Sequence, residues 1–144
     1  LAEEKGTDVV FVERTTVLAL GKMMLTVYPP VTASGDLNEQ GLSVLGTAGE
    51  FDILVTGDMA GSTERRLAEI YDLPDVEVLV VSHHGSRYSS DAAFLQAIRP
   101  ETAVISVGDN SYGHPTEEAL LRLTDAGVTV YRTDLQGNIY ITVN

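Results

Sequence analysis

The chain has 144 residues, 44% of them hydrophobic and 21% charged, with a formal net charge of −12 at pH 7 and no cysteine. That length is one domain able to bury roughly two-thirds of its unfolded surface, and the mixture of residue types excludes a disordered or low-complexity segment. Without cysteine there is no disulfide, thiolate zinc site or thiol nucleophile, so any metal must be held by His and carboxylate.

In chain order the first elements are strands. Val9, Val10, Phe11 and Val12 form a β-branched and aromatic run, followed by Thr16–Leu20, a Gly21-Lys22 turn and Met23–Tyr28. Pro29 and Pro30 end that strand, because neither donates to a ladder. Residues 31–40, with Ser34, Gly35, Asp36 and Asn38, read as a loop. Residues 42–45 and Phe51–Val55 flank Gly46-Thr47-Ala48-Gly49-Glu50, a hairpin signal, and the second strand runs straight into Thr56-Gly57-Asp58. Ser62 or Thr63 is expected to cap a helix in which Leu67, Ile70 and Tyr71 share one face and which stops before Pro74.

From there strand and helix alternate. The pattern predicts strand 76–81, helix 91–98 capped by Ser90, strand 103–107, and helix 115–126 with Pro115 in its first turn and Gly127 at C′. A closing strand pair is expected over 128–132 and 138–143. The unbroken apolar run Val78-Leu79-Val80-Val81 implies burial on both faces, so the class is α/β, with helices on at least one side of a mixed sheet. No run approaches the roughly 18 apolar residues of a membrane span, and no signal-peptide pattern is present. The segment therefore reads as soluble. Its opening on Leu1 rather than Met, leading directly towards a strand, reads as a piece of a longer chain.

The chemistry-bearing residues share one position. Asp58 follows strand 51–55, His83 and His84 follow strand 76–81, and His114 lies in the loop after strand 103–107, which accounts for all three histidines. Loops beyond strand ends assemble ligand and catalytic sites on a rigid frame. Gly57 and Gly85 permit the turns that bring these side chains to a shared centre. His and carboxylate without cysteine suit zinc, manganese or iron, and a carboxylate can bridge two ions. Each residue also has a plainer role open to it. Asp58 between strand and helix serves equally as an N-cap or turn residue, the His pair as exposed loop residues, and His114 before Pro115 as a helix N-cap. Adjacent residues on a strand point to opposite faces, so only one of His83 and His84 reaches a metal unless the backbone turns between them; the neighbouring Gly85 favours His84.

Three strings are more specific: Ile53-Leu54-Val55-Thr56-Gly57-Asp58-Met59; Val80-Val81-Ser82-His83-His84-Gly85-Ser86 with Ser89-Ser90; and Ile105-Ser106-Val107-Gly108 with Asn110-Ser111-Tyr112-Gly113-His114-Pro115. Together they resemble the C-terminal metallo-β-lactamase-like domain of the ComEC competence proteins, and Tyr131-Arg132-Thr133-Asp134 with Gly137, Ile139 and Ile141 resembles that family's closing hairpin. The resemblance implies an αββα sandwich of which residues 1–144 form a single domain fragment, mainly the C-terminal half. By the same resemblance Asp58 is the bridging metal ligand, one of His83 and His84 a terminal ligand, and Asp58, His84 and His114 the catalytic set. His114, Ser86 and Asn110 then contact substrate.

The family's first His/Asp motif is absent, since no His precedes residue 83. The resemblance implies two divalent ions, zinc or manganese, in the intact domain, and the missing motif leaves at most weak binding in this piece. What the resemblance implies for the intact protein is metal-dependent hydrolysis of DNA by the soluble domain of a bacterial membrane protein whose channel part lies elsewhere in the chain. The charge of −12 counts against tight DNA binding by this segment alone. A non-catalytic scaffold or docking module of a DNA transporter is the alternative. A serine hydrolase using Ser86 or Ser89 lacks the Gly-x-Ser-x-Gly elbow. Half a sandwich also exposes an apolar sheet face, which invites a homodimer.

Overall fold

The computed structural model describes residues 2–33 and 35–143; Leu1 and loop residue Ser34, both used in the sequence reading, lie outside the described residues, as does Asn144. Among the described residues seven strands form one mixed sheet in the order of the chain: β1 (Thr16–Leu20), β2 (Met23–Tyr28), β3 (Ser43–Ala48), β4 (Phe51–Val55), β5 (Val78–Val80), β6 (Thr102–Ile105) and β7 (Thr129–Arg132). The first four make an antiparallel meander; β4 to β7 are parallel, joined by helices α1 (Gly61–Ile70), α2 (Ala92–Ile98) and α3 (Glu117–Asp125). A short helix α4 (Thr133–Gln136) follows β7.

Parallel crossovers in one sheet are almost always right-handed, so three of them running in one direction are expected to put their helices on the same face. Leu67 of α1, Phe94, Leu95 and Ile98 of α2 and Leu123 of α3 join Leu54, Leu79, Ala103 and Ile105 of the strands in one core. The alternate strand residues turn to the other face. There Leu18, Leu20, Met23, Val55 and Tyr131 are all more than a third exposed. The described residues thus supply one sheet with one helical layer.

Several expected elements differ. Residues 9–12 form no strand, and Val9, Val10 and Phe11 are exposed, because β-branched residues form a strand only where a ladder receives them. The hairpin turn is the two-residue Gly49-Glu50, with Gly49 at φ 66, so 46–48 belong to β3 and Ala48 pairs with Phe51. Neither Ser62 nor Thr63 caps α1. Ala60 is its N-cap, and the Glu39 carboxylate accepts from Ala60 N (2.9 Å) and from the Thr63 hydroxyl. Asp91, not Ser90, caps α2 by accepting from Ala93 N and Phe94 N. Thr116 caps α3 through Ala119 N, which leaves Pro115 outside the helix. Gly127 holds the expected C′ position at φ 75. The closing hairpin does not form: Thr133 bonds Val107 through N and O, and 133–136 coil into α4 instead of turning tightly towards a partner strand.

Candidate functional site

Because β4, β5 and β6 run parallel, their C-terminal ends meet at one sheet edge, and Asp58, the His pair and His114 all follow those ends. Gly57 turns the chain out of β4 at φ 68. After β5 the backbone enters three consecutive left-handed residues: His83 (φ 48, ψ 40), His84 (φ 53, ψ 26) and Gly85 (φ 78). Outside glycine that conformation costs about 1–2 kcal/mol per residue. It persists here because neighbouring groups hold it: His83 N donates to Gly57 O and Ser86 N to His83 O, each at 3.0 Å. Backbone strain of this kind collects at functional sites. Strand alternation no longer governs where the two imidazoles point.

His84 Nδ1 lies 2.6 Å from Ser106 O. A carbonyl only accepts, so the proton sits on Nδ1 and the Nε2 lone pair is free. That Nε2 is 3.8 Å from Asp58 Oδ1, with both side chains about half exposed (51% and 46%). An imidazole oriented by a backbone carbonyl, its second nitrogen converging with a carboxylate, is the arrangement of a metal-ligating pair. Asp58 does not cap α1, since Ala60 holds that position, and His114 does not cap α3, since Thr116 does.

His114 packs edge-on against His83 (ring centroids 5.5 Å) and stacks on Tyr112 (6.0 Å). Asn110 shapes its loop: Oδ1 accepts from Tyr112 N and His114 N at 3.1 Å, and Nδ2 donates to Gly108 O and His114 O. His84, Ser106, Asn110, Tyr112 and His114 line an open cleft of about 350 Å³. Ser86 does not reach it; the residue is buried and its hydroxyl has no partner among the described residues.

Burial, and then the nearby His83, His84 and Arg87, hold the His114 imidazole below its ordinary 6.5. Since the folded value is the lower one, its stability contribution is present above pH 6.5 and is lost as pH falls through the folded value. In an NMR titration of the metal-free chain, His114 is expected to stay neutral at pH 7 and protonate below 6.5. Protonation above that value would refute the reading.

Asp58 and His84 fit two vertices of a metal shell. A closed zinc site needs about four ligands and a catalytic one three, and among the described residues no group of three or more His, Cys, Asp or Glu could hold an ion. These residues alone do not complete a metal site. The Ser106 carbonyl, which orients the His84 imidazole, and the Gly57 carbonyl, which accepts from the His83 backbone N–H, had no sequence signal because both act through backbone atoms. Tyr112 was visible only as a neighbour of His114.

No protein-family model matches the chain. It is 31% identical over 96% of its length to ComE operon protein 3 of Bacillus subtilis and 45% identical over 62% to competence protein ComA of Neisseria gonorrhoeae. Recombination protein 2 of Haemophilus influenzae is 30% identical over 72%. The chain spans less than a fifth of these relatives, 18%, 13% and 13% of their lengths. Among solved structures, a mutant form of CmlA beta-hydroxylase superposes with a TM-score of 0.55 at 17% identity, over 88% of this chain and 32% of that one, which is a likeness of fold. No helix among the described residues is long and apolar enough to cross a membrane.

Proposed function

For a chain homologous to competence proteins of the ComEC family and carrying the metallo-β-lactamase-like fold, we propose a role as half of a metal-dependent phosphodiesterase domain that hydrolyses DNA within a longer DNA-uptake protein. The observation that carries this is the convergence of His84 Nε2, its tautomer set by Ser106, on Asp58 Oδ1. The remaining ligands come, on this reading, from a His/Asp cluster outside these 144 residues. Divalent zinc or manganese, when bound, supplies a Lewis acid for phosphoryl oxygen and an acidified water.

The roles of the chain's own residues follow from position. Asp58 and His84 hold metal. His114, neutral at pH 7 and lining the cleft, donates a hydrogen bond to a non-bridging phosphate oxygen. Asn110 keeps the His114 loop in shape, and buried Ser86 takes no part in the cleft. His83 supports His114 edge-on. With a net charge of −12, this segment contributes little to DNA affinity, so the basic surface belongs to other parts of the parent, as does the membrane channel. The bare sheet face is covered in the parent by the rest of the sandwich, and in the isolated chain by a second copy.

The test uses a longer polypeptide that includes the preceding segment of the gene. Manganese- or zinc-dependent cleavage of linear DNA, abolished by EDTA, is expected, while calorimetric titration of the 144-residue chain with zinc shows at most weak binding. A longer polypeptide that folds but never cleaves DNA would overturn the enzyme reading in favour of a non-catalytic docking module, the reading that an incomplete donor set supports. Tight stoichiometric zinc binding by the 144 residues would refute the incomplete donor set.

A further inference from the structure

Glu64, in the first turn of α1, is fully buried. A carboxylate in such a place needs its lone pairs satisfied. Its hydrogen-bond partners are three neutral donors: Oε1 accepts from the Ser82 hydroxyl (2.7 Å) and Ser90 N (3.1 Å), and Oε2 from Asp91 N (2.8 Å). Burial, with the nearby Asp91 charge, holds its pKa above the ordinary carboxylate value, against the opposing pull of the three donors. The Ser82 proton is committed to Glu64, so at 2.5 Å the Thr56 hydroxyl must donate to Ser82. A directed chain, Thr56 to Ser82 to Glu64, therefore runs beneath the site, with every member at most 1% exposed. Thr56 stands two residues before Asp58, and Ser82 directly before His83.

We infer that Glu64 is a positioning residue, holding the left-handed His83-His84 turn in place against the Asp58 loop through Ser82 and Thr56. The inference rests on the reading of Asp58 and His84 as site residues, but its consequence is visible without metal. Cut from Glu64, Ser82 is free to rotate. The turn then loses the tether that keeps His83 N on Gly57 O and His84 Nδ1 on Ser106 O.

The test is NMR on the metal-free 144-residue chain, reading imidazole nitrogen shifts and amide exchange. In the parent sequence His84 carries its proton on Nδ1. Glu64→Gln keeps the size but replaces one acceptor oxygen with a donor group, and is expected to give a folded protein in which His84 shifts towards the Nε2–H tautomer. Exchange at the His83 amide rises at least about tenfold as the local turn opens. Leu123→Ala, a buried α3 change chosen to lower stability comparably, leaves both readouts unchanged. Glu64→Asp, with the charge but a shorter reach, does not restore them. Should Glu64→Gln fail to fold, Thr56→Val takes its place, since it removes only the first link. An unchanged His84 tautomer and His83 exchange in the folded variant would overturn the inference. That outcome is separable from failure of the phosphodiesterase reading, which is decided by DNA cleavage in the longer polypeptide.

Discussion

Gly85→Ala is expected to destabilise the chain by about 2–5 kcal/mol, the sum of a left-handed backbone cost and an overpacking cost. Gly85 sits at φ 78, and a Cβ there would lie 2.7 Å from Pro115 Cβ and 3.2 Å from Pro115 Cα. Neither atom can yield without moving backbone, because Gly85 O also accepts from Thr116 N at 2.9 Å. The contact is what brings the His83-His84 turn against the loop carrying His114, so relief by separation would pull the site apart. Gly113→Ala is the comparison. Its φ of 77 is nearly the same, yet nothing lies within 4 Å of the new methyl, so it should cost only the backbone portion, about 1–2 kcal/mol. Urea midpoints at constant slope measure both. Equal losses for the two variants would mean that the Gly85–Pro115 contact contributes nothing.

On the proposed function, Asp58→Ala in the longer polypeptide is expected to lower DNA cleavage by about a thousandfold or more, the loss of roughly 4 kcal/mol of charge stabilisation when a residue proposed to hold metal is removed. The side chain is 46% exposed and caps no helix, so the melting midpoint should hardly move. That pairing of outcomes separates a ligand from a turn residue. A structural Asp58 would cost stability and spare the rate. Retained cleavage in the folded variant would remove Asp58 from the active site, and with it the assignment of His84 as its partner.

Much of the architecture was legible in sequence. Alternating apolar strands and amphipathic helices from Phe51 onward specify β-α-β units, and the punctuation by Gly49 and Gly127 marks turns that require left-handed backbone. Placement of Asp58, His83, His84 and His114 after strand ends was likewise readable, because parallel crossovers return every such loop to one edge. Caps were less so. Ser62, Thr63 and Ser90 had the right chemistry for α1 and α2, but Glu39 reached α1 from 21 residues away, and Asp91 competed locally with Ser90 and held the cap. The strands expected at 9–12 and 138–143 failed for a related reason: β propensity records fit to a neighbour, and no partner strand receives either segment.

The sequence by itself determined which residue types could do chemistry and on which loops they fall, since those follow from periodicity and from the absence of cysteine. Only the tertiary structure decided how they are held. The left-handed path through His83 and His84, the proton on His84 Nδ1, and the buried chain from Thr56 to Glu64 each depend on at least one hydrogen bond between residues 18 to 26 positions apart. Such bonds form only once strands and helices have packed. No local pattern encodes them.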